Sequence, residues 1–447
     1  MMVPMADDPV TTSRRTSGDT PNSVGAAPAE NADAAAPRWA RWLPVAGLVL
    51  VAFNLRPAIT GLGPLLAEVR TALGMNGTVA GLLTSAPALC FAVFGSVAPR
   101  LARSRGPSAV VLAGTAAVTA GLALRPLAGG TGGFLAASAL ALAGIAACNV
   151  LLPVIVKQRF PDRTGPMTGL YSMALSLGTA TAAALTVPVT ETLGGDWRLG
   201  LGMWALPGAL ALSVWLPITR EARRRAARPT TAPGPGGPGG SEGGRSDADG
   251  GAASGVRITR SATAWALGIF FGFQATAAYI TMGWLPQIFR DAGVPAATAG
   301  LLLAVTMGLG IPLSFVLPRI AARLGHQGPL AATLALCGLG GYAGLWFAPA
   351  QGAWAWALLL GVSNCAFPLV LTLIGMRART GAGVARLSAF AQGTGYLISI
   401  PGPLLVGSLH QHTGGWHAPL ALMAALMVAQ LAAGLLAGRD RYVEDGD

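Results

Sequence analysis

A chain of 447 residues that is 53% hydrophobic and only 11% charged falls far below the about 25% charged residues of a soluble domain, which excludes an ordinary soluble enzyme and points to a polytopic membrane protein. Its net charge of +12 does not describe a nucleic-acid face, because the arginines gather in short gaps between apolar runs and have no interleaved aromatic residues. The cysteines Cys90, Cys148, Cys337 and Cys365 stand singly inside apolar runs, so they are expected to pack rather than to bind metal or carry redox chemistry.

Residues 1–41 carry Asp7 and Asp8 and are rich in Ala, Pro, Ser and Thr, the composition of a disordered cytoplasmic tail ahead of an uncleaved first span. Apolar runs able to cross about 30 Å of hydrocarbon at about 1.5 Å per residue follow at 42–66, 78–98, 107–127, 133–156, 166–190 and 197–217. The segment 218–260 opens with charge and turns Pro/Gly/Ser-rich, as in Pro233-Gly234-Pro235-Gly236-Gly237-Pro238; it reads as a flexible cytoplasmic linker. Six more runs come at 262–286, 296–317, 327–348, 353–376, 386–409 and 416–437, and 438–447 is a second cytoplasmic tail. The expected fold is therefore all-α, with twelve transmembrane helices in two six-helix halves, 42–217 and 261–437.

Orientation follows from the positive-inside rule. With both termini cytoplasmic, the inner segments hold Arg100, Arg103 and Arg105, Lys157, Arg159 and Arg163, the linker arginines from Arg220 onward, Arg319 and Arg323, and Arg377, Arg379 and Arg386. The outer segments keep only Arg70, Arg125, Arg198 and Arg290.

The halves repeat one another in sequence. Pro99-Arg100-Leu101-Ala102 with Gly106 returns as Pro318-Arg319-Ile320-Ala321 with Gly325, and at the same offset Ala80-Gly81-Leu82 matches Ala299-Gly300-Leu301 and Trp197 matches Trp416. An even number of spans per half makes these parallel repeats, an arrangement found in secondary transporters.

One residue is out of place for a hydrocarbon-facing helix. Arg56, within Phe53-Asn54-Leu55-Arg56-Pro57-Ala58-Ile59-Thr60, is permanently charged and costs about 2.5 to 3.5 kcal/mol at a membrane helix centre. Asn54 flanks it, and Thr60 and Gly63 continue its stripe at helical spacing. No acidic residue lies well inside any run; Glu68, Glu191, Asp196 and Asp291 fall near outer ends. Arg56 thus presents a donor fork suited to a planar anion; otherwise it binds carbonyls freed by Pro57, or reaches Glu68.

Asn149, Tyr171, Gln274, Tyr279, Asn364, Gln392 and Tyr396 are further polar residues inside the runs, expected either to line a central cavity with Arg56 or to serve as interhelical glue. Gly178, with Ala174 and Ala182, makes a close-packing face. Arg100, Arg103, Arg319 and Arg323 lie in the two repeated cytoplasmic loops, where they are expected to serve a gate. His410, His412 and His417 are expected in a solvated outer loop, and Trp42, Trp284 and Trp416 as interfacial anchors. No metal or cofactor is expected.

The Asn54-Leu55-Arg56-Pro57 segment, the block from Asn149 through Lys157-Gln158-Arg159-Phe160-Pro161-Asp162-Arg163 to Ser172, and Gly195-Asp196-Trp197-Arg198 resemble the cyanate permease and 2-nitroimidazole transporter group of the major facilitator superfamily, over nearly all of 42–437. The resemblance implies the major facilitator fold and alternating access in a cell inner (plasma) membrane. It also implies a small planar, anionic or polar solute, cyanate- or nitroimidazole-like or a small carboxylate. The loop at Pro99–Gly106 departs from that superfamily's pattern, since Arg103 stands where an acidic latch residue is expected. A coupling proton or a counter-solute remains open as a partner, the lipid bilayer is the surroundings, and a monomer is expected. A drug or metabolite exporter with a mostly apolar cavity is the alternative within this class, and a membrane-embedded enzyme or sensory scaffold the alternative outside it.

Overall fold

The computed structural model describes residues 42–227 and 258–445. The expected tail at 1–41, linker residues 228–257 and the last two residues lie outside the described residues. What is described is helical throughout, without a strand. In a bilayer the chain has no water to satisfy its N–H and C=O groups, so each apolar run closes its own hydrogen bonds as a helix.

The spans are Leu43–Leu73, Gly77–Arg105, Pro107–Leu124, Thr131–Arg159, Thr164–Thr192 and Trp197–Gly202 continued by Ala205–Ala227 in the first half. The second half has Ala262–Asp291, Ala296–Gly308 continued by Gly310–Arg323, Gly328–Phe347, Ala353–Asn364 continued by Ala366–Met376, Gly381–Ser399 continued by Pro401–Thr413, and His417–Ala437. Among the described residues eleven are long and apolar enough to cross a membrane. The remaining one, the eleventh in order, is broken at Ile400 and carries Ser388, Gln392, Thr394, Tyr396 and Ser399. The sixth helix outruns its apolar segment and reaches Ala227, because Glu, Ala and Arg after Thr219 are strong helix formers.

The molecule has a near face, where the described segments begin and end, and a far face opposite. Packing in the halves corresponds helix by helix: spans 1 and 5, 1 and 6, 2 and 4, 3 and 4, and 3 and 6 are in contact, as are 7 and 11, 7 and 12, 8 and 10, 9 and 10, and 9 and 12. Spans 2 and 11, and 8 and 5, join the halves.

The repeated glycines explain these two seams. A Cβ on Gly81 would stand 2.8 Å from Leu404 Cα and 2.9 Å from its carbonyl oxygen, and one on Gly300 would stand 2.6 Å from the Ala183 carbonyl oxygen. Only hydrogen on Cα lets the backbones meet, the small-residue packing on which membrane helices rely. Gly178 in turn lies against the Phe53 carbonyl, where a Cβ would overlap it.

Both seams are tightest toward the far face. Span 5 packs along Ala296–Gly308 and only slightly against Gly310–Arg323; span 2 packs mainly against Pro401–Thr413. On the near face the chain ends in a clasp of the second half. Arg377, buried, donates to Gln327, to the Gly438 carbonyl at 3.1 Å and to Asp440 at 3.1 Å, while Val443 N–H donates to the Arg377 carbonyl at 3.0 Å. Burial lowers the Arg377 guanidinium below its ordinary pKa; Asp440 and Tyr442 oppose that shift.

Candidate functional site

Span 1 is broken where Arg56 stands. Pro57 has no N–H for the Phe53 carbonyl and disfavours helix in the residue before it. The first helix therefore stops at Asn54, Arg56 takes φ −118° and ψ −31°, and helix resumes for Pro57–Thr60. The guanidinium leaves the chain at this break, half-buried, with no hydrogen-bond or ion-pair partner among the described residues.

Aromatic residues of spans 2, 7, 10 and 11 pack against one another. Tyr279 of span 7 and Tyr396 of span 11 lie within range of the Arg56 charge. Tyr396 stacks on Phe91 of span 2 with centroids 5.0 Å apart and planes at 15°, and meets Phe271 edge-on at 5.1 Å; Phe271 in turn contacts Phe367 at 5.7 Å. The Phe91–Tyr396 stack joins the two halves. A half-buried guanidinium without an acidic partner among the described residues can take the charge of a flat anion on its planar donor fork.

The other polar residues make contacts of their own. Asn54 Nδ2 donates to the Leu50 carbonyl at 2.8 Å and the Pro207 carbonyl at 3.0 Å, tying span 1 to span 6. Thr60 is buried and donates to the Arg56 carbonyl at 3.0 Å. Gln274 Nε2 donates to both the carbonyl and Oδ1 of Asn364, each at 3.0 Å, and Gln430 Nε2 donates to Gln274 Oε1 at 2.9 Å. Pro368 supplies no N–H to the Asn364 carbonyl, and Gln274 takes its place; this amide chain locks spans 7, 10 and 12. Gln392 Nε2 donates to Ser388 on its own helix at 2.6 Å. The Asn149 Nδ2 is buried without a partner among the described residues, and Tyr171 is half-buried early in span 5. Arg100, Arg103, Arg319 and Arg323 are exposed at the near face.

Above Arg56 the far face is shut. Arg290 Nη1 and Nη2 donate to Glu68 at 2.8 and 2.7 Å, and Nη1 also reaches the Pro64 carbonyl at 2.9 Å. Glu68 is thus the partner of Arg290 and not of Arg56. Gly63 abuts the Met282 carbonyl, and Thr78 N–H donates to Gln411 at 3.1 Å.

Three expectations are corrected by these contacts. Trp284 is not an interfacial anchor: span 7 runs two turns past it to Asp291, so it is fully buried, edge-on to Trp416 at 5.9 Å. His410 is no solvated loop residue, because Pro401–Thr413 is helical; it stacks on Trp416 at 4.1 Å, with Nε2 4.0 Å from Asp291, whereas His412 and His417 are exposed. Arg125 is not an outer loop charge but a buried one, 1% exposed. The available signal was an arginine between Leu124 and Pro126 with no acidic neighbour. No cluster of three or more His, Cys, Asp or Glu side chains fit for a metal occurs among the described residues.

The sequence pattern of the Major Facilitator Superfamily matches residues 48–385. The chain is 33% identical to the 2-nitroimidazole transporter of Escherichia coli (strain K12) over 406 residues, 89% of this chain and 96% of that one. It is 30% identical to the cyanate transport protein CynX of the same organism over 376 residues, 83% and 90% of the two chains. Among solved structures, a point mutant of the nucleoside transporter NupG superposes with a TM-score of 0.67 at 11% identity, covering 88% of this chain and 99% of that one, a likeness of fold alone.

Proposed function

Because the chain belongs to the Major Facilitator Superfamily, and is a membrane transporter rather than an enzyme, we propose that it carries a small planar anion by alternating access, with Arg56 as the anion's seat. The observation that carries this reading is the half-buried Arg56 guanidinium at the break in span 1, without an acidic partner among the described residues. An intramembrane charge of this kind is functional by default. The names of the two relatives, a cyanate and a 2-nitroimidazole transporter, agree with a small flat solute.

Lysine and arginine gather at the near face, which we assign to the cytoplasm with both termini, in the plasma membrane. The far face is then the outer one, and the arrangement is inward-facing. The halves 42–217 and 261–437 rock about Arg56, tethered by the 218–260 linker, and a single chain encloses the path. A proton carried on the anion or an exchanged counter-solute drives it. Around Arg56, Tyr279 and Tyr396 complete the seat; Asn149, Tyr171 and Gln392 border the approach to it, while Asn54, Thr60, Gln274 and Asn364 hold the helices that shape it.

Uptake into proteoliposomes tests the seat. Arg56→Gln is expected to lower uptake of benzoate and thiocyanate at least about tenfold, the scale of a lost charge-assisted hydrogen bond, with folding intact. Equal transport of anionic and neutral solutes by variant and native protein would instead favour an exporter whose cavity works through Phe91, Phe271 and Phe367.

A further inference from the structure

Three arginines serve the broken span 1 at successive heights. Arg56 is part of it, Arg125 Nη1 donates to the Ala58 carbonyl at 2.7 Å, and Arg290 Nη1 to the Pro64 carbonyl at 2.9 Å. From residue 56 to residue 64 is about 12 Å of helical rise. Arg290 is neutralised by Glu68. Arg125 has no such counter-charge among the described residues.

Arg125 comes from the far end of span 3. Besides Ala58 it donates through Nε to Ser138 Oγ at 2.9 Å, and it lies over the Phe134 ring at 5.5 Å. A guanidinium has five N–H donors; the others have no acceptor among the described residues. Holding one carbonyl needs no permanent charge, and a neutral amide does the same for Asn364 elsewhere in this protein. A fully buried cation without an anion is among the costliest groups a membrane protein can keep.

A cleft lies against Arg125, lined also by Gly63, Thr84, Pro87, Tyr279 and Gly283. It is narrow, with room for little more than a water molecule. It shares Tyr279 with the Arg56 seat, and Gly63 against Met282 and Gly283 against Thr84 pinch it where the halves meet on the far side. Its walls belong to both halves, so parting them at the far face would widen it.

We propose that Arg125 is a second anion-binding residue, the outer station that receives a small monovalent anion in the outward-facing state and passes it to Arg56. The proposal rests on the reading of the solute as an anion. It implies a sidedness that the Arg56 seat alone does not have.

The test uses right-side-out and inside-out vesicles with radiolabelled benzoate and thiocyanate. Arg125→Met should raise the half-saturating concentration at the outer face at least about tenfold and that at the cytoplasmic face less than about threefold; Arg56→Gln should raise both. An equal change on the two faces, or none, overturns the outer station and leaves Arg125 a strut. Arg56→Gln without effect overturns the Arg56 reading alone, and a native protein that moves neither anion overturns both. Should Arg125→Met fail to fold, the native protein decides: phenylglyoxal added outside during turnover should modify Arg125, and saturating benzoate should protect it. Unprotected modification, or none, overturns the proposal.

Discussion

Glu68 and Arg290 face each other from the first and seventh spans, joined by two hydrogen bonds of 2.7 and 2.8 Å that tie one six-helix half to the other at the far face. With side chains 32% and 22% exposed, the pair is partly hydrated, and about 1 kcal/mol is the appropriate scale. Glu68→Gln keeps the shape and removes the charge. It is expected to raise the population open at the far face about fivefold, read as faster labelling by an impermeant thiol reagent of Thr84→Cys introduced beside the outer cavity. Labelling at the native rate would show that the glycine seams alone keep this face shut.

The seams make their own prediction. Gly81→Val places branched carbon against Leu404 Cα and carbonyl oxygen, neither of which is a flexible side-chain end. The variant should insert and fold, disfavour closure at the far face, and lower transport at least about tenfold, a cost in the about 1 to 3 kcal/mol range of overpacking. Gly129→Ala, with nothing within 4 Å of the added carbon, should transport as the native protein does. Native turnover by Gly81→Val would remove the seam from the closing mechanism.

The Gln274–Asn364 pair separates stability from transport. Gln274→Leu leaves the Asn364 carbonyl without a donor, for a loss of about 0.6 to 1.7 kcal/mol. Thermal unfolding in detergent should show a lower midpoint with an unchanged KM for benzoate. Because Pro368 is what freed that carbonyl, Pro368→Ala should recover part of the loss in the double variant. A changed KM with an unchanged midpoint would move Gln274 into the solute's path.

Tyr396 distinguishes rings from charge. Tyr396→Phe preserves the stack on Phe91 at 5.0 Å and should leave benzoate transport within about threefold. Tyr396→Ala removes a ring contact worth about 0.5 to 1.5 kcal/mol beyond its burial and should raise KM for benzoate about tenfold while changing KM for thiocyanate far less. An equal effect on both anions would mean that the ring shapes the seat without touching the solute.

Composition and hydropathy made the helical membrane class legible, since a run of apolar residues in lipid has no alternative to helix. The twelve-run count failed only to show that the eleventh crossing is the polar one, bent at Ile400. Arg56 stood out because a charge in a hydrocarbon run is anomalous by local context. Gly81 and Gly300 were visible as repeats, but that each marks a seam between halves required knowing which helix lay opposite. The amide chain could not be foreseen in full: Gln274 and Asn364 were candidates, Gln430 was not, and the bonds among them join spans far apart in sequence. Arg125 shows the same limit, for its partners Ala58 and Ser138 are 67 and 13 residues away.

The sequence by itself determined where helices form and break and where a charge is costly, because in a membrane these depend on each residue's own N–H, side chain and solvation. The tertiary structure decided which charge has a partner. Glu68 lies nearer to Arg56 than to Arg290 in the chain, yet the packing of span 7 on span 1 gives it to Arg290, and that pairing across the halves leaves Arg56 without an acidic partner among the described residues.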